Sequence, residues 1–166
     1  GYEGLTLGIL GLGRIGSRVA DLFQPWRMNI ISHDPYVDQS KFVHHNATPV
    51  DIETLFRESD VLTIHINLTK ETMNMVNEDL IGLMKPNALL INAARGRIVD
   101  IDALFDALDK GRLGGAALDV LPDEPPDPQS PILGLGDKVL LSPHMIAFNE
   151  GTGLRKAVPW VTENIL

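Results

Sequence analysis

"TLGILGLGRIGSRVADLF", residues 6–23, carries an apolar strand pattern through three glycines and into residues with helical spacing. Gly11, Gly13 and Gly16 fit the spacing G-x-G-x-x-G, and each has its own task. Gly11 allows a tight turn, Gly13 lets the backbone come close to a pyrophosphate, and Gly16 lets the helix pack hard against the strand. The start of that helix offers free N–H groups and a partial positive charge to phosphate oxygens. Three glycines are also compatible with a plain turn, so the neighbourhood decides. The second strand, "NIISHD", ends at Asp34, roughly twenty residues beyond the glycines, where a ribose-binding acid belongs. A carboxylate there accepts hydrogen bonds from the adenosine 2'-hydroxyl and repels a 2'-phosphate. "DPYVD" supplies no arginine to reverse that preference, so the two signals together predict NAD rather than NADP. Without the glycines, Asp34 would read only as a turn former ahead of Pro35.

Outward from this unit, apolar runs alternate with helical patterns. Strands are expected over residues 5–10, 29–33, 61–65, 88–92, 113–118 and 139–141, and helices over 15–24, 51–58, 78–84 and 101–110. Most of the strand runs are continuously apolar, the mark of strands covered on both faces. Asn77 and Asp100 are expected helix N-caps, and Gly111 a C-terminal stop. Alternation of this kind predicts an α/β fold, a doubly wound parallel sheet of three layers. Residues 121–131, "LPDEPPDPQSP", must form a stiffened loop, because their prolines exclude both helix and strand.

Bulk composition narrows the function classes. A chain of 166 residues supports one well-buried domain. At 44% hydrophobic and 22% charged it is an ordinary globular composition, with no run able to span a bilayer. With no cysteine, disulfides and thiolate metal sites are excluded, which fits a reducing cytoplasm. A net charge of -8 argues against nucleic acid as a partner. The adjacent His44 and His45 suggest no metal site, since neighbours rarely converge on one ion and no third ligand is evident.

In open α/β sheets, ligands sit beyond the carboxyl ends of the strands. His65, residues 92–95, Asp119 and residues 142–144 bring polar groups to that edge. Arg95 therefore emerges where ligands gather, and its planar guanidinium matches a carboxylate. Arg97, two residues on, reads as a solvated loop charge. His144, in "LSPHMIAF", stands alone in apolar company, a setting more typical of a structural histidine. The acids Asp123 and Glu124 in the preceding loop shift the balance, because a carboxylate beside an imidazole makes a proton donor useful near neutral pH. Which of the two acids would serve is left open by spacing alone.

Taken together, "TLGILGLGRIG", "HINLTKET", "LINAARGRIVD", "GAALDVLPDEPP" and "LLSPHMIAF" resemble the NAD-binding Rossmann domain of the D-isomer-specific 2-hydroxyacid dehydrogenases. The resemblance covers essentially the whole chain in order. It implies hydride transfer between NAD and a small 2-keto or 2-hydroxy acid. It implies that Arg95 holds the substrate carboxylate, that His144 exchanges the proton, and that Glu124 pairs with His144. It further implies that Gly11, Gly13, Gly16, Arg14 and Ile15 surround the pyrophosphate and that Asp34 takes the adenosine ribose. Ile66 and Asn67 would touch the cofactor, Ala93 and Ala94 would line the nicotinamide through their main chain, and Asp119 would lie near its carboxamide. Two departures stand out: Asn67 replaces a usual proline, and Leu-Pro-Asp precedes Glu124 where an aromatic residue and an acid are common.

The resemblance also implies a homodimer and a second, substrate-binding domain, which this sequence does not contain. "GYEGLTLG" matches a point just after the crossover between domains, and "VTENIL" falls within the helix leading back. The 166 residues are thus expected to be an isolated cofactor domain. Met145, Ile146 and Phe148 suggest one apolar wall but identify no substrate. A rival from another class is an NAD-binding scaffold or sensor resembling the C-terminal-binding-protein co-repressors, which can retain the same three polar residues. Methyltransferases and adenosylhomocysteine hydrolases share the glycines but give no reason for Arg95, Glu124 and His144 together.

Overall fold

A computed structural model describes residues 2–145. The helix expected near the end of the chain, together with Ile146 and Phe148, lies outside the described residues. Twelve main elements follow in order: β1 (Thr6–Leu10), α1 (Arg14–Phe23), β2 (Asn29–His33), α2 (Gln39–His44), β3 (Thr48–Pro49), α3 (Ile52–Glu58), β4 (Val61–Ile64), α4 (Glu78–Gly82), β5 (Leu89–Asn92), α5 (Ile101–Asp109), β6 (Gly115–Leu118) and β7 (Val139–Leu141). The strands form one sheet in the order β3-β2-β1-β4-β5-β6-β7. Every pairing in it is parallel. Strand order reverses between β1 and β4, and the crevice opens at that point.

Six strands stand where the apolar runs predict them, β2 and β7 residue for residue and the other four trimmed by a residue or two. β3 and α2 are additions to that expectation. β3 is only two residues long and contains Pro49, so it has no periodic signal to read, and it survives as an edge strand on β2. α2 is short and buries only Phe42. The capping residues behave as their chemistry requires. Asn77 accepts from the Leu80 N–H, Asp100 from the N–H groups of Asp102 and Ala103, and Gly111 takes a positive φ after α5.

The core divides between the two faces of the sheet. One cluster gathers Leu10, Phe56, Leu62, Ile64, Leu90 and Leu104 under α3, α4 and α5. The other gathers Leu7, Ile9, Leu12, Ala20, Ile30 and Phe42 under α1 and α2. Alternate residues of β1 thus enter opposite clusters, as the period of a strand demands. Coverage is complete over β1 but not at the far side, where Leu89 and Leu140 remain 45% and 72% exposed. Phe56 is fully buried in the larger cluster. Phe56→Ala is expected to lower stability by about 3–5 kcal/mol, read by urea denaturation followed by circular dichroism.

Candidate active site

At the switch point, the three glycines do different work. Gly11 has φ +95°, a conformation that disfavours any side chain. Gly16 lies against the Gly11 carbonyl so closely that a Cβ would stand 2.0 Å from that oxygen. Nothing lies within 4 Å of the position a Cβ on Gly13 would take, so the backbone there faces open space. Gly13 is the N-cap of α1 and gives it no side-chain cap, and the first turn holds no acid. α1 therefore begins with no side-chain cap at its N-cap residue and no acid against the positive end of its dipole.

Asp34 closes this cradle from β2. Its Oδ2 accepts from the Leu12 N–H at 2.8 Å, and its Oδ1 from the Tyr36 N–H at 3.0 Å. Each oxygen keeps a second lone pair for a hydroxyl donor. The acid forms the turn before Pro35, and its remaining lone pairs are placed at the cleft. A cleft of about 460 Å³ joins Gly11, Gly13, Asp34, His65, Ile66 and Asn67. An adenosine diphosphate moiety fits this donor and acceptor set: a bare backbone and helix start for phosphate, and a carboxylate for the ribose. Arg14 and Ile15 are exposed at the same helix start.

The remaining polar groups follow β5, β6 and β7, three adjacent strands. After β5, the buried Asn92 side chain accepts from the Ala94 N–H and donates to the Arg95 carbonyl, both at 3.0 Å. That local ring shapes the turn through Ala93 and Ala94 and presents Arg95 outward. Arg95 Nη1 donates to the Ala94 carbonyl at 2.7 Å rather than to Glu124 or His144. After β6, Asp119 is buried and its Oδ1 accepts from the Ser142 hydroxyl at 2.5 Å and the Met145 N–H at 2.9 Å. The two bonds bracket His144, which has φ 55° in the left-handed region.

His144 and Glu124 meet. Nδ1 of His144 donates to Glu124 Oε2 at 2.7 Å, since an ionised carboxylate can only accept. The bond holds the Glu124 carboxyl below the ordinary carboxylate range. It also fixes the tautomer, leaving Nε2 for exchange with a ligand. Beside the pair, among the described residues, lies a mainly apolar hollow of about 500 Å³ lined by Leu121, Pro125, Pro126, Leu133, Leu141 and Pro143.

Asp123 is not the partner. It binds Arg97, whose Nη2 lies 2.9 Å from Asp123 Oδ1 and whose Nε donates to the Pro122 carbonyl at 3.1 Å. Arg97 is exposed, as a solvated loop charge should be, but it is also anchored to the acidic loop. A contact over 26 residues leaves no local trace in sequence. Of the other histidines, His33 bonds the Val50 carbonyl, and His45 bonds Asp21 on α1.

The fold and these contacts describe a dinucleotide-binding α/β domain with an imidazole–carboxylate pair at its ligand edge. The family model for "D-isomer specific 2-hydroxyacid dehydrogenase, NAD binding domain" matches residues 1–146, and the chain belongs to that NAD-dependent family. It is 42% identical over 164 residues to a glyoxylate reductase of Aeropyrum pernix, covering 99% of this chain and 48% of the relative. It is 41% identical over 145 residues to a D-3-phosphoglycerate dehydrogenase of Archaeoglobus fulgidus, covering 87% of this chain and 27% of the relative. Among solved structures, a D-lactate dehydrogenase from Aquifex aeolicus complexed with NAD and lactic acid superposes with a TM-score of 0.84 at 34% identity, over 97% of this chain and 53% of that one. An acyclic imino acid reductase in complex with NADPH and D-Arg superposes at 0.87 and 32%, over 99% and 50%. The chain spans half or less of the length of these curated relatives.

His65 directly follows β4 and lines the cleft beside Gly11, its Nε2 3.0 Å from the Thr63 hydroxyl. Burial pushes its pKa down from 6.5 to about 4. As pH falls through that window, the unfolded chain takes up this proton before the folded one does. The contribution of neutral His65 is therefore complete above pH 6.5 and is withdrawn toward pH 4. Chemical denaturation at about pH 7 and pH 4.5 is expected to show the native chain losing roughly 2 kcal/mol more stability than His65→Gln.

Proposed function

We propose that this chain is the cofactor domain of an enzyme that interconverts a 2-keto acid and a D-2-hydroxy acid. The observation that carries the reading is the 2.7 Å contact between His144 and Glu124, at the same sheet edge as an unobstructed dinucleotide cradle. In this reading the main chain at Gly11, Gly13, Arg14, Ile15 and Gly16 holds the pyrophosphate, and Asp34 holds the ribose. Ile66 and Asn67 wall the adenosine side, while Ala93, Ala94 and Asp119 serve the nicotinamide side. NAD, when bound, supplies the hydride acceptor for oxidation and, reduced, the donor for reduction.

The chain's own residues manage the proton and the charge. On reduction, protonated His144 gives its Nε2 proton to the substrate's 2-oxygen, and on oxidation it takes that proton back. Glu124 stabilises the imidazolium through Nδ1. Arg95 exchanges its bond to the Ala94 carbonyl for the substrate carboxylate, orienting the keto carbon and stabilising charge on its oxygen. A second domain, outside this sequence, would supply the other wall of the cleft and recognise the substrate's side chain. The reading carries with it a cytoplasmic homodimer, as the resemblance implies, and it takes Asp34 to select NAD over NADP by like-charge repulsion of the 2'-phosphate.

Two outcomes test it. The isolated chain is expected to bind NADH at least roughly ten-fold tighter than NADPH in a fluorescence titration, and equal affinities would remove Asp34's role. In the full-length protein, Arg95→Ala should lower kcat/KM for glyoxylate, hydroxypyruvate, pyruvate or 3-phosphohydroxypyruvate by about 100-fold or more, with NADH affinity nearly unchanged. Wild-type kinetics in that variant would refute the substrate-clamp assignment.

A further inference from the structure

We propose that Arg97 is a positioning residue that clamps the acidic loop to the end of β5 and so aims Glu124 at His144. The inference rests on the proposed proton-transfer role of that pair. One guanidinium directs two donors to two successive residues, the Pro122 carbonyl at 3.1 Å and the Asp123 carboxylate at 2.9 Å, immediately before Glu124. The planar fork fixes direction as well as distance, which a lysine's single ammonium cannot do.

The neighbouring residues make the clamp a docking point rather than a chance ion pair. A Cβ on Gly96 would stand 2.0 Å from the Leu121 carbonyl carbon and 2.5 Å from the Pro122 nitrogen, so turn and loop touch backbone to backbone there. Ile98, next along from Arg97, is fully buried and pins the turn from the other side. Within the loop itself, Glu124 is steadied only by a long bond to the Leu121 N–H, 3.3 Å. The Arg97 and Asp123 side chains are 56% and 75% exposed, so their pairing adds little to global stability. Its effect lies in where it holds the residue that follows.

The test uses the Glu124 carboxyl, followed by carbon NMR titration in this chain, and kcat in the full-length protein. Glu124 titrates below the ordinary carboxylate range because of its bond from His144. Arg97→Ala is expected to raise that midpoint toward the ordinary value and to lower kcat on the order of ten-fold, with NADH affinity unchanged. Thermal midpoint should move by no more than about 2 °C. Arg97→Lys should recover part of the kcat, and Asp123→Asn combined with Arg97→Ala should be no worse than Arg97→Ala alone. An unchanged Glu124 midpoint and kcat, or a drop in thermal midpoint of many degrees, would overturn the clamp. Glu124→Gln separates the two ideas. If it abolishes turnover while Arg97→Ala is silent, only the clamp fails. If it keeps wild-type kcat, the proton-transfer reading fails and the clamp with it.

Discussion

Parallel pairing of β1 with both β2 and β4 is the constraint from which the rest follows. Parallel strands must be joined by crossovers, so every strand delivers its carboxyl end to the same edge of the sheet. Polar residues placed just past those ends reach one edge of the sheet without crossing the core. Gly16 completes the arrangement. Only a residue without Cβ lets α1 begin against the Gly11 carbonyl, with its uncapped N-terminus at the mouth of the crevice. Asp34, from the neighbouring strand, then holds the Leu12 N–H and locks the turn between them.

The edge beyond β5, β6 and β7 is built on the same economy of short connections. His144 occupies a left-handed backbone conformation that disfavours a side chain, and it persists because the buried Asp119 grips Ser142 before it and Met145 after it. A buried carboxylate is costly unless hydrogen-bonded, and those donors offset the cost. Asp119 thereby shapes the segment that carries the imidazole, whatever it also offers to a cofactor. Asn92 does the equivalent after β5, where its amide closes the turn that exposes Arg95.

Much of this is legible in sequence because the signals are local. Glycine spacing, continuous apolar runs and capping residues each report a backbone geometry within a few residues of themselves, so the main strands, the longer helices and the glycine turn at the head of α1 can be read. From spacing alone the partner of His144 is one option of two, since a proline-rich loop separates the acids from the imidazole; the family resemblance singles out Glu124, and the contact is there. Two things leave no local trace. β3 and α2 are too short for periodicity to accumulate, and α2 buries a single phenylalanine. Arg97 reads as a surface charge because its partner sits in a loop brought near by the β5–β6 pairing, which exists only after folding.

The imidazole–carboxylate pair is itself half-exposed, with side chains 46% and 41% accessible. Water at that exposure screens charge attraction strongly, so Coulomb energy alone would hold the two groups loosely. Orientation must come from directional hydrogen bonds and from the backbone anchors at Asp119 and the loop. That division of labour suits an exposed edge: the anchors fix the imidazole and carboxylate in advance, and exclusion of water from the pair would strengthen their contact without rearranging it.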